Sequence, residues 1–121
     1  GEQGALFARV ARAAAEIDAA TALVLADCER MDALTDATDL DAVDRARIMR
    51  NLAYAVQACR RSVTSLFEAA SGSGIYDTAP LQRVWRDMNA AAAHMAFGWD
   101  EVSAKFSRAY LGLPPSKFAL R

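Results

Sequence analysis

The sequence is poor in the residues from which metal sites and nucleophilic centres are usually built, with one histidine and two cysteines among 121 residues. A lone histidine and two distant cysteines exclude a zinc cluster, and no Ser/His/Asp set or Walker-type loop is present. Charge of one sign is lacking too. Fourteen basic and fifteen acidic side chains leave a net charge of −1, so no global field draws in a phosphate backbone or an anionic lipid surface. No apolar run approaches the roughly 18 to 20 residues needed to cross a bilayer, because Arg, Asp or Glu interrupts every candidate stretch. The N-terminus lacks the basic-then-apolar pattern of a signal peptide. These absences predict a soluble, cytoplasmic chain with no nucleic-acid or membrane partner and no bound metal.

Apolar residues, many of them alanine, are plentiful, and their order is helical. The length is enough for one domain, residues 1–121, to bury a core without metal or disulfide staples. From Leu6, apolar or small residues recur as Val10, Ala13, Ile17, Thr21, Val24, Cys28 and Met31, which places them on one face of a helix over about 3–33. Ala11, Ala15, Ala19, Ala22 and Ala26 form a second stripe, small enough for another helix to approach closely. Asp32 to Asp41 has no such periodicity and is rich in capping and turn residues, so the chain reverses there. Asp39 or Asp41 caps a second helix over about 40–71, with Met49, Leu52, Val56, Cys59, Val63, Leu66 and Ala70 inward. If the two helices are antiparallel around Asp36, Cys28 faces about residue 45, leaving Cys59 roughly 20 Å away. No disulfide within the bundle is therefore expected.

Ser71-Gly72-Ser73-Gly74 ends the second helix, glycine accepting the left-handed conformation of a C-cap. Pro80 opens a third helix over about 79–111. Its inward face is Leu81, Val84 or Trp85, Met88, Ala92, Met95, Trp99, Val102, Phe106 and Tyr110. Gly112 and Pro114-Pro115 stop it, leaving a tail over 112–121. The fold class is all-α, an up-down bundle of three long helices. Helices of that length, with a spare alanine stripe, look like members of a larger bundle completed by another helix or a second copy.

Chemistry concentrates between Ser71 and Gly98. The Ser-Gly loop offers amides and hydroxyls to a phosphate, or is an ordinary cap and turn. Arg83 and Asp87, four apart, can pair along the helix surface, although an arginine in an opening turn opposes the helix dipole and so invites an external anion. His94 follows four alanines and falls beside the core stripe with Arg83, Asp87, Ala90 and Gly98. That face leaves room for something flat, although an edge-packed structural histidine has the same pattern.

The string Pro80-Leu81-Gln82-Arg83 with Arg86-Asp87, then His94, then Tyr110-Leu111-Gly112-Leu113 resembles the C-terminal domain of the acyl-CoA dehydrogenase superfamily. Within it, the string resembles the oxygenase branch of two-component flavin-dependent monooxygenases. The resemblance covers nearly the whole chain. It implies the last three helices of a four-helix bundle, with further domains upstream and assembly into dimers or tetramers. It also implies reduced flavin, FMN or alternatively FAD, delivered by a separate flavin reductase, and hydroxylation of a small aromatic substrate. His94 matches the family histidine near the flavin ring and is the candidate catalytic residue. Ser71, Gly72 and Ser73 match the segment that approaches the flavin phosphate, and Arg83 joins them as a cofactor-binding candidate. Arg86 and Asp87 match a structural pair. The general-base glutamate of true acyl-CoA dehydrogenases has no evident match, so an FAD-dependent dehydrogenase ranks second and a non-catalytic assembly module third. The chain alone is expected neither to hold flavin tightly nor to turn over. His94, the serine-glycine corner and the Arg83 turn are expected to converge on one cavity wall.

Overall fold

The computed structural model describes residues 1–73, 79–94 and 97–116. Four α-helices run through them: α1 (Glu2–Asp32), α2 (Ala42–Ser73), α3 (Ala79–Ala92) and α4 (Trp99–Tyr110), with a 3-10 turn at Ala37–Asp39 and no strand among the described residues. The all-α class and the first two helices match expectation. The count does not, because the long third helix is two helices.

The reversal after α1 is built by aspartates. Asp36 accepts the Thr38 amide at 3.0 Å, and this backbone hydrogen bond holds its carboxyl below the usual carboxylate range. Asp41 accepts the Asp44 amide at 2.8 Å and so caps α2. Arg45 closes the corner through a hydrogen bond to the Leu40 carbonyl.

α2 is the central element, packed against α1 on one side and against α3 and α4 on the other. Its seam with α1 is lined by small residues. Ala20, Ala55 and Ala58 are buried together, with Val24 and Cys59 packed against them, and Ala13 is buried further along α1. Such side chains allow close helix approach. Two polar bridges set the register: Asn51 Nδ2 donates to Asp27 Oδ2 at 2.9 Å, and Ser62 Oγ donates to Glu16 Oε2 at 2.8 Å. The contact face is thus rotated from the expected stripe. Ala20 and Asp27 are buried, whereas Val10, Thr21, Cys28, Met31 and Met49 are exposed.

That register also shifts Cys28 from the expected level of residue 45 to about residue 50, still roughly 14 Å along α2 from Cys59. Both thiols are free. Cys28 is exposed, while burial pushes the Cys59 thiol up. A raised pKa means less thiolate at a given pH, so iodoacetamide near pH 8 should alkylate Cys28 at least several-fold faster than Cys59. Peptide mass spectrometry over a time course reads the order, and equal rates would contradict the packing.

The third-helix expectation fails between Ala92 and Trp99. Its alanine run is a strong helix former, but Gly98 is extended (φ −68°, ψ 112°) and sits at the N-cap of α4. Asp100 and Glu101 follow in the first turn of α4, where the helix dipole favours them. The break resets the helical phase. Trp85, not Val84, turns inward, stacking on Phe67 at 5.1 Å and donating from Nε1 to Thr64 Oγ1 at 3.1 Å. Val102 is buried, whereas Trp99 and Tyr110, expected inward, are exposed. Met95 lies outside the described residues.

α4 ends as its sequence predicts. Gly112, the one described glycine with positive φ (71°), lets the Leu113 amide reach the Arg108 carbonyl at 2.8 Å and its own amide reach that of Ala109 at 3.3 Å. These are the paired closing bonds of a Schellman motif.

Candidate functional site

His94 lies in the break. Its amide donates to the Ala91 carbonyl at 3.1 Å and its carbonyl accepts from Phe97 at 3.0 Å. The imidazole is exposed and tilted against the Phe97 ring at 5.8 Å between centroids. Nearby, where α4 begins, Trp99 meets Tyr54 of α2 at 6.3 Å, and both rings are exposed. The result is an aromatic rim beside an imidazole.

The other candidates stand elsewhere. α2 continues through Ser73, so Ser71, Gly72 and Ser73 form its last turn and not a loop. Gly72 is helical without positive φ, and Gly74, the other glycine of the expected cap, lies outside the described residues. Ser71 and Gly72 are exposed, as is Arg83 in the second turn of α3. The Arg83–Asp87 pairing is not formed, since the ion pairs among the described residues are Arg30–Asp27 and Arg47–Asp44.

α2 and α3 run antiparallel, because Thr64 meets Trp85 while Gln57 meets Ala92. Ser71 is therefore level with the start of α3, and His94 lies beyond its other end. Arg83 and His94 are separated by about 16 Å along α3, and Ser71 lies roughly 21 Å along α2 from Gln57. The candidates form no single cluster. They mark the two ends of one helical hairpin.

Gln57 was not singled out by sequence reasoning, yet it holds the His94 segment in place. Its Nε2 donates to the Phe97 carbonyl at 3.0 Å and the Ala92 carbonyl at 3.4 Å, tying α2 to the segment between α3 and α4. No sequence signal distinguishes it from a solvated glutamine. Gln57→Leu should lower stability by about 1–2 kcal/mol and speed amide exchange around residues 91–98. Unchanged exchange there would remove this role.

Residues 1–99 match the family model described as acyl-CoA dehydrogenase, C-terminal domain. The chain belongs to this family. The acyl-CoA dehydrogenase C-terminal domain identified here is 36% identical over 112 residues to the oxygenase component of the FADH(2)-dependent resorcinol hydroxylase of a Rhizobium species, covering 88% of this chain and 27% of that protein. It is 33% identical over 108 residues to HsaA, oxygenase subunit of a flavin-dependent monooxygenase of Mycobacterium tuberculosis, with 88% of this chain and 27% of that subunit covered. A pigment production hydroxylase of a Rhodococcus species is 33% identical over 116 residues, covering 96% of this chain and 30% of its own length. The domain thus spans less than a third of these relatives. No solved structure matches it significantly.

Proposed function

We propose that this domain is the C-terminal part of a cytoplasmic flavin-dependent monooxygenase that hydroxylates a small aromatic substrate with reduced flavin and oxygen. The observation that carries the proposal is the nature of the relatives, which are hydroxylases or oxygenase components of flavin-dependent systems. Likeness to the oxygenase component of a multi-component enzyme also favours a separate flavin reductase as partner. FMN is the proposed flavin and FAD the alternative, the latter in keeping with the FADH(2)-dependent resorcinol hydroxylase. The exposed alanine stripe of α1 supports dimer or tetramer assembly through the bundle.

The residues present suit a flavin along one wall. Serine hydroxyls and the Arg83 guanidinium at one end are phosphate donors, and at the other end an imidazole stands beside an aromatic ring. When bound, flavin supplies the activation of oxygen. The domain's own part is to hold the phosphate with Ser71, Ser73 and Arg83, and to offer at His94 a nitrogen that hydrogen-bonds or moves one proton.

The test uses the longer protein carrying this domain, supplied with chemically reduced FMN, oxygen and a panel of phenols, with no reductase added. Hydroxylated product is the expected result. Oxidation of an acyl-CoA thioester without hydroxylation would favour the dehydrogenase instead, and no flavin binding at all would leave only the assembly module.

A further inference from the structure

We propose that the cleft between the N-terminal half of α1 and the C-terminal half of α2 binds a phosphate monoester. It encloses about 350 Å³ and is lined by Arg9, Arg12, Glu16, Arg61, Ser62 and Ser65, with small alanines between them. That volume falls at the lower end of the range for small-molecule sites.

Arginines on a helical surface are ordinarily solvated or paired with carboxylates, and the spacing of Arg12 and Glu16 predicts such a pair. The structure resolves it differently. Glu16 turns to the seam and takes the hydroxyl of Ser62 at 2.8 Å, a residue only 1% exposed. The ion pairs among the described residues are Arg30–Asp27 and Arg47–Asp44, so Arg9, Arg12 and Arg61 have no carboxylate within 4.0 Å. Three guanidinium groups from two helices therefore line one concavity beside a single carboxylate, Glu16, which binds the Ser62 hydroxyl and is ion-paired with none of them.

The mutual repulsion of these cations is relieved by an anion between them. Guanidinium forks match phosphate oxygens in bidentate fashion. Three forks and the Ser65 hydroxyl offer more donors than a carboxylate's two oxygens use, whereas a phosphate dianion presents three acceptor oxygens. A small molecule is favoured over a polyanion because the positive charge is confined to one cleft of a chain whose net charge is −1. The site lies on the α1 side of α2 and does not depend on the flavin reading of the α2–α3 hairpin.

The test titrates the 121-residue chain with inorganic phosphate and then glycerol 3-phosphate at constant ionic strength, following ¹⁵N amide shifts and heat. Saturable binding with a Kd of about 1 mM is expected, with shifts confined to residues 8–16 and 61–65. Arg12→Ala and Arg61→Ala should each weaken binding about tenfold. Arg61→Lys, which keeps charge and helix but loses the fork, should weaken it roughly threefold. Arg47→Gln, outside the cleft, should leave it unchanged. Non-saturating shifts, equal losses in the Arg47 variant, or shifts centred on Ser71 and Arg83 would overturn the proposal. Saturable binding of polyglutamate with no response to phosphate would overturn it as well.

Discussion

Replacing Asn51 by leucine is expected to lower the unfolding free energy by about 3 kcal/mol and the melting temperature by roughly 10 °C. Asn51 is a junction for three helices. Its Nδ2 donates to Asp27 Oδ2 at 2.9 Å, and its Oδ1 accepts from Arg50 at 3.1 and 2.8 Å. Arg50 in turn lies over the Phe106 ring of α4 at 4.2 Å. Both Asp27 and Asn51 are buried, and the nearest guanidinium to Asp27 is Arg30, at the 4.0 Å limit of an ion pair. The single substitution thus leaves a carboxylate in the seam without its hydrogen bond, the costly way to break a buried polar pair. Replacing both residues, Asp27→Leu with Asn51→Leu, removes the stranded charge and should recover a large part of the loss. Chemical denaturation of the three variants decides the matter. A double variant less stable than the single one would show that the pair contributes directly and not by avoiding an orphan charge.

The second large effect concerns His94. On the proposed function, His94→Ala in a longer protein carrying this domain should reduce coupled hydroxylation about a hundredfold, the scale of a lost proton-transferring or hydrogen-bonding group. Flavin oxidation should continue, its electrons leaving as hydrogen peroxide. The helical signal should be unchanged, because the imidazole is exposed and the neighbouring carbonyls of Ala92 and Phe97 are held by Gln57. His94→Gln separates the two roles. If the imidazole only donates a hydrogen bond, the amide restores much of the coupling. If it moves a proton, coupling stays low and the pH profile loses a limb. Wild-type coupling in the alanine variant would take His94 out of the mechanism.

Much of the fold was legible because its signals are local. The periodicity of α1 and α2, the aspartate-rich reversal and the Gly112 stop each depend on a few consecutive residues. What escaped depends on contacts distant in sequence. The helix break hides behind Ala90 to Ala93, whose propensity is helical, and its one local signal, Gly98 followed by Asp100 and Glu101, reads as an N-terminus only once a break is suspected. The seam escaped because large apolar residues were weighted over alanine, whereas Ala20, Ala55 and Ala58 let the helices close on two polar bridges that no periodicity announces. For the site, residue types were legible, but the expected convergence on one wall does not hold. Eleven residues of helical rise hold Arg83 and His94 about 16 Å apart with or without the break, and antiparallel pairing of α2 with α3 sets Ser71 at the Arg83 end.

The central proposal is that the α2–α3 hairpin forms one wall of a flavin site, with phosphate at the Ser71–Arg83 end and ring at the His94 end. Hydrogen–deuterium exchange of the longer protein with and without saturating FMN reads it directly. Slower exchange is expected at both ends, over residues 71–73 and 79–84 and again over 91–98, with α1 unaffected. Saturated flavin with no protection at either end would contradict the claim.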